Sequence, residues 1–180
     1  MNKILAAAGG YKELKAYRNA VIVHDYTVEF SQLYVDRFSR TQDQMVQAAR
    51  SGKQNIVEGN MAAATSGKTE LRLTNVARAS LEELLEDYKD HLRQHGLTLW
   101  PAQSPKALTI RSLAHTSYLS YSSYKSYLHS PEPAANAAIC LIHQTNYLID
   151  RLLKTLEKRF LAEGGFTERL YKSRKGARGY

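Results

Sequence analysis

The stretch from Gln44 to Gly59, Gln-Met-Val-Gln-Ala-Ala-Arg-Ser-Gly-Lys-Gln-Asn-Ile-Val-Glu-Gly, constrains the fold of this chain more than any other. Within and just beyond it, Ala49, Gly52, Ile56, Gly59 and Ala63 recur at spacings of three and four. Such residues share one face of a helix, and their small side chains let a neighbouring helix backbone approach closely. The glycines lower helix propensity, a cost that tight packing has to offset. The stretch predicts a closely packed helix. A second helix-patterned run follows, Ala77-Arg-Ala-Ser-Leu-Glu-Glu-Leu-Leu-Glu-Asp-Tyr88. Together they specify a scaffold and offer no catalytic group.

Residues 11–39 read as a long first helix. Leu14, Val21, Val28 and Val35 recur every seven residues, with Tyr17, His24, Ser31 and Phe38 as a companion row, the seam of a bundle or coiled coil. A second apolar row, Val23, Tyr26, Phe30 and Leu33, points away from the first, because two residues along a helix turn through about 200°. Only one face of a bundle helix meets the core, so the second row needs another segment of the chain or another subunit. We expect a subunit, which makes Val23, Tyr26, Phe30 and Leu33 the oligomer interface.

Thr41 and Gln44 form a capping box that opens a second helix at about 42–64. The polar break Thr65-Ser-Gly-Lys-Thr69 leads to a third helix at about 68–95, which stops at Gly96. Short connections make these three helices antiparallel. Residues 97–132 form an insert, with Trp100-Pro101, Ser104-Pro105 and Ser130-Pro-Glu-Pro133 around a tyrosine-rich stretch. Ser104 as a cap and Pro105 at the first helical position predict an inserted helix. Ile139, Ile142, Ile149, Leu153, Leu156 and Phe160 support a last long helix at about 134–162, closed by Gly164-Gly165. The expectation is an all-α chain: an antiparallel up-down four-helix bundle over residues 1–166, with an inserted helical segment before its last helix, then a flexible basic tail at 167–180.

A chain of 180 residues suits one domain with a core of its own. Its single cysteine, Cys140, excludes an intrachain disulfide and fits a reducing, cytoplasmic setting. The first ten residues fall short of an export signal, and charges interrupt every apolar stretch before it reaches membrane-spanning length, so a soluble protein without a membrane partner is expected. The formal net charge is +8. Arg169, Lys172, Arg174, Lys175 and Arg178 stand against Glu168 in residues 167–180, five minus one, so half of that excess sits in the tail.

Several polar groups invite a functional reading beside a structural one. Arg50 and Lys53 offer phosphate contacts from a rigid helix, while Asn55 and Glu58 suit hydrogen bonds inside a bundle. His91 and His95 lie four apart with Asp87 one turn earlier, but His-Leu-Arg-Gln-His lacks the adjacent glutamate of a zinc hydrolase motif. Exposed histidines near a helix end are expected there, with no metal. His24 reads as a residue at the edge of the core. Tyr118, Tyr121, Tyr124 and Tyr127 recur every three residues, a spacing that drifts round an α-helix, so packing is favoured over a stacking platform for bases. Glu82, Glu83, Glu86, Asp87 and Asp90 form an acidic face on the third helix. Thr65-Ser-Gly-Lys-Thr69 ends like a phosphate-binding loop but lacks its first glycine and preceding strand. No catalytic order of residues and no cofactor fingerprint is recognisable, so no enzymatic activity is expected.

At Gln44, Ala48, Ser51, Asn55, Ile56, Glu58 and Gly59, then Ala77, Ser80, Leu81 and Leu84, the chain resembles the bacterial four-helix-bundle proteins encoded in intervening sequences of large-subunit ribosomal RNA genes. The accessory variability determinant of diversity-generating retroelements is a relative of that family. The likeness covers about residues 11–96 and 134–162. It implies an antiparallel bundle that assembles as a cyclic homo-oligomer, often a pentamer, without enzymatic activity. In the retroelement branch it implies a basic assembly that binds nucleic acid and a reverse transcriptase. The insert at 97–132 and the extended tail depart from the pattern and resemble a longer subfamily with an added C-terminal element.

Charge placement and likeness together point to a noncatalytic, oligomeric, nucleic-acid-associated adaptor. Arg50, Lys53, Arg169, Lys172, Arg174, Lys175 and Arg178 are its expected contacts to RNA or DNA phosphates, without strong sequence preference. The alternative is a protein-interaction scaffold whose insert and acidic third helix dock a protein partner, with no nucleic-acid role.

Overall fold

The computed structural model describes residues 9–116 and 119–177, with the backbone alone for Glu163 and Arg169. Its regular structure is entirely helical, and no strand occurs among the described residues. A 3-10 turn at Gly10–Glu13 leads into α1 (Lys15–Tyr34), followed by α2 (Arg40–Ala62) and α3 (Gly67–Gln94). The insert contributes α4 (Pro105–Ser112) and the single turn α5 (Ser122–Lys125), each with a 3-10 turn after it. Then come α6 (Pro131–Glu163) and α7 (Phe166–Ala177). No helix among the described residues is long and apolar enough to cross a membrane.

Local chemistry sets the helix ends. α1 stops at Val35, which is extended at φ −111° and ψ 134°, several residues short of the expected end. Asp36 makes the turn there, its carboxylate accepting from Phe38 N at 2.9 Å and its carbonyl from Ser39 N at 2.9 Å. Ser39, not Thr41, then caps α2, its Oγ accepting from Thr41 N at 3.2 Å. Ser66 caps α3 through Thr69 N, and Ser104 caps α4 through Ala107 N with Pro105 in the first turn. Gly96 at φ +64° and Gly164 at φ +72° take the left-handed conformations that end α3 and α6.

The four long helices pack in a closed ring, α1 on α2, α2 on α3, α3 on α6 and α6 on α1. Residue pairs give their directions. Gly52 of α2 faces Leu81 of α3, while Gly59 faces Glu70, so these two helices run opposite ways. Across α3 and α6, Glu70 pairs with Arg159, Arg78 Nε donates to Asp150 Oδ1 at 2.6 Å, and Asn146 Nδ2 donates to Glu82 Oε2 at 3.0 Å. Numbers rise on one helix as they fall on the other.

Three of the four residues of the second apolar row of α1, Val23, Tyr26 and Phe30, are core and not oligomer interface. Val23, Tyr26 and Phe30 are at most 2 % exposed within the single chain, and only Leu33, at 53 %, stays open. α3 and α6 cover the row. Phe30 packs edge-on to Tyr88 at 4.7 Å, Tyr88 Oη donates to Thr27 Oγ1 at 3.0 Å, and Tyr26 Oη donates to the Ala134 carbonyl at 3.1 Å. The phenol of Tyr34 reaches the Leu128 carbonyl at 2.5 Å. The heptad row read as the seam, Leu14, Val21, Val28 and Val35, is half-buried instead. The two faces of α1 have exchanged roles, the second row meeting α3 through Tyr88 and α6 through Ala134.

That insert is fastened at its base. Trp100 N donates to Asn136 Oδ1 at 2.8 Å and its indole Nε1 to Glu132 Oε1 at 2.9 Å, while Asn136 Nδ2 donates to the Thr98 carbonyl at 2.9 Å. The indole bond, then a bond from Thr98 N to Glu132 Oε2 at 3.1 Å, hold the Glu132 carboxyl below its usual range. The inserted helix is short: after Ser112 the chain passes into turns, and three of the four tyrosines pack inward among the described residues. Tyr124 is fully buried, while Tyr121 and Tyr127 lie half-buried against the core. Tyr118 lies outside the described residues. Of the tail expected to be flexible, residues 167–177 are helical within α7, with Glu168 Oε2 accepting from Gly165 N at 3.2 Å, and residues 178–180 lie outside the described residues.

Candidate nucleic-acid interface

A groove of about 700 Å³ opens where α1, α4 with its following turn, and α6 meet. α1 contributes Lys15, Arg18, Asn19 and Ile22, the insert contributes Arg111, Ala114, His115, Thr116 and Leu119, and α6 contributes His143, Gln144, Tyr147 and Leu148. Among the described residues no carboxylate lines it. Just before α1, Glu13 pairs with Arg18 where both are solvent-exposed, so the pair holds Arg18 weakly.

Hydrogen bonds fix the groove's shape. Arg111 Nη1 donates to the Ala102 carbonyl at 3.1 Å, and Gln144 Nε2 donates to the Arg111 carbonyl at 3.1 Å, tying the end of α4 to α6. That bond orients the Gln144 amide and leaves its Oε1 buried without a hydrogen-bond partner. A buried acceptor in that state carries an unmet desolvation cost. Although His143 keeps an exposed edge, burial of the remainder, then Lys89 and Arg111, push its imidazole toward the neutral form against the pull of Glu82. Lys15, Arg18 and Arg111 are therefore the permanent charges.

The same face of α6 continues the positive surface. His143, Tyr147, Arg151, Lys154 and Lys158 follow one another at intervals of four, four, three and four, which keeps them in one stripe. All five are exposed, and the Arg151 guanidinium lies 6.0 Å from the centre of the Tyr147 ring.

The residues expected as phosphate contacts lie elsewhere. Arg50 is exposed and Lys53 half-buried on α2, and neither lines the groove. Asn55 is turned inward, its Nδ2 donating to the Ser51 carbonyl at 2.9 Å and to Ser51 Oγ at 3.1 Å, while Ser51 Oγ shares a 2.9 Å bond with Ser80 Oγ. Glu58 is exposed. Lys172, Arg174 and Lys175 are exposed on α7, Arg169 belongs to the same helix, and Arg178 lies outside the described residues. The groove cations went unnoticed in the sequence because their meeting depends on the placement of α4. The stripe on α6 could have been read from its spacing.

The histidine pair differs from expectation. His91 is buried, edge-on to Phe30 at 5.0 Å and stacked on His95 at 4.3 Å, and its Nε2 has no hydrogen-bond partner. Burial, then the neighbouring His95, lower its pKa to about 4. Asp87, one turn earlier, is pushed up to about 6 by burial, then by Glu83 and Asp90. Among the described residues no three His, Cys, Asp or Glu side chains stand close enough together to hold a metal ion. His24 is half-buried with Nδ1 3.2 Å from Asp25 Oδ1, at the edge of the core.

Comparisons with protein-family models, with curated proteins and with solved structures found no match to this chain.

Proposed function

We propose that this protein is a noncatalytic nucleic-acid-associated adaptor, built on an up-down four-helix bundle of the intervening-sequence type, that contacts RNA or DNA phosphates without strong sequence readout. The observation that carries this reading is the positive face running from the groove along α6: Lys15, Arg18 and Arg111, then Arg151, Lys154 and Lys158. Phosphate contact by lysine and arginine releases counterions, so affinity should fall steeply with salt. The exposed cations of α7, Lys172, Arg174 and Lys175, extend the reach. Arg50 and Lys53 are secondary contacts on another helix. Filter binding across a salt series tests the reading, which fails if neither RNA nor DNA is retained at low salt.

A second reading has its own observation. Glu82, Glu83, Glu86 and Asp90 are exposed on α3 and repel a phosphate backbone. This acidic face suits a basic protein partner, such as the reverse transcriptase that the family likeness implies. A partner recovered from nuclease-treated lysate would favour this scaffold reading over the adaptor.

The homo-oligomer rests on the family likeness and on the exposed Leu33 and Phe38 at the turn between α1 and α2. A single-chain mass by light scattering at micromolar concentration would overturn it.

A further inference from the structure

We infer that the groove between α1, α4 and α6 seats one unpaired nucleotide of a bound strand, so that this protein prefers single-stranded to duplex nucleic acid. The inference rests on the adaptor reading and deepens it. Its volume of about 700 Å³ falls within the range of about 300–1,000 Å³ typical of small-ligand sites, ample for a nucleotide. The lining combines what a nucleotide requires: Lys15 and Arg111 for the phosphate, and Ile22 and Leu148 as apolar surface for a base. Gln144, whose Nε2 is committed to the Arg111 carbonyl, holds α4 and so fixes the shape of the seat.

Stacked and paired bases in a duplex cannot turn into such a groove without breaking their pairs, whereas a base in a single strand is free to enter. The stripe on α6 tracks the neighbouring phosphates and does not by itself distinguish the two forms, since charge alone reads no base. Preference for the single strand must come from the groove.

Fluorescence polarisation with a labelled single strand of about ten nucleotides and the corresponding duplex tests this, at one salt concentration. The single strand should bind about tenfold more tightly than the duplex, the scale of one seated base. Ala114 is exposed and lines the groove, so Ala114→Leu narrows it from the solvent side without adding a charge or an aromatic face on which a base could stack. That variant should lose most of the single-strand preference. Adenosine 5′-monophosphate should compete for the unsubstituted protein better than ribose 5-phosphate, which carries the charge without the base. Equal affinity for the two nucleic acids, or an undiminished preference in Ala114→Leu, would overturn the nucleotide seat while leaving phosphate contact intact. Absence of binding to either nucleic acid at low salt would overturn both readings.

Discussion

A Cβ placed on Gly52 of α2 would stand 2.6 Å from Cδ2 and 2.7 Å from Cγ of Leu81 on α3, closer than real carbon contacts allow. Leu81 is fully buried, so it has no open space into which to swing. Gly52→Ala therefore sets a gain in helix propensity of about 1 kcal/mol against an overpacking cost of about 1–3 kcal/mol. The expected net loss is about 1 kcal/mol, read as a lower urea midpoint. Gly176, whose Cβ would meet nothing within 4 Å, is the control. Its replacement by alanine should hold or raise the midpoint. An unchanged midpoint for Gly52→Ala would show that the helices are not held as closely as Gly52 and Leu81 indicate.

This contact was legible in the sequence, because small residues at helical spacing have one principal use in a soluble bundle. The cap at Ser104 was similarly a local signal, whereas the cap at Ser66 lies inside what reads as a polar break. The fate of Val23, Tyr26 and Phe30 was not local. Periodicity shows that a row needs cover, but whether Tyr88 of α3 and Ala134 of α6 supply it depends on how segments distant in sequence pack together. Gly164 and Gly165 marked the end of α6, yet the charged segment beyond them lacked an apolar stripe strong enough to be read as a helix. The groove was hidden for the same reason as the core: Arg111 and Lys15 are far apart in sequence, and only the anchoring of α4 by Gln144 brings them together.

The ion pair between Glu70 and Arg159 ties the start of α3 to the end of α6, with Glu70 only 3 % exposed. Burial raises the Glu70 pKa in spite of the opposing pull of Arg159. Arg159→Met leaves the carboxylate buried and uncompensated. The expected loss at pH 7 is about 2 kcal/mol, below the usual ~3–5 for a buried pair because Arg159 is partly solvated. A raised carboxyl pKa makes the folded state take up the proton first, so this group's contribution to stability declines as pH rises through the folded pKa. The deficit of Arg159→Met relative to the unsubstituted protein should hence shrink at pH 5, and adding Glu70→Gln should restore part of it at pH 7. A deficit independent of pH would mean that Arg159 acts through packing alone.

His91 has the opposite sign. Its folded pKa of about 4 lies below the ordinary value of 6.5, so the unfolded chain binds the proton first and stability drains away as pH falls through that interval. Asp87, pushed up to about 6, works against this trend by taking a proton more readily when folded. Comparing the unsubstituted protein with His91→Phe isolates the histidine, because phenylalanine keeps the aromatic contact with Phe30 and does not titrate. Between pH 7 and pH 4.5 the unsubstituted protein should lose about 2 kcal/mol more stability than His91→Phe. Parallel losses in urea unfolding at the two pH values would refute a buried, neutral His91.

The proposed adaptor role predicts separable contributions to nucleic-acid binding from the positive stripe on α6 and the cations of α7. Replacing Arg151, Lys154 and Lys158 by glutamine removes three charges from exposed positions whose loss leaves the packed ring untouched. On single strands, each lost phosphate contact lowers the slope of log affinity against log salt by about 0.7, so the triple variant should lose about 2 from that slope. Deleting residues 167–180 removes five cations and one acid, and should lower the slope by about 3 if those cations also reach phosphate. Because counterion release depends on which cations sit on the strand, the slope separates contact from a general change in net charge. A triple variant with an unaltered slope would remove α6 from the interface. A tail deletion with an unaltered slope would make the C-terminal charge a solubilising end.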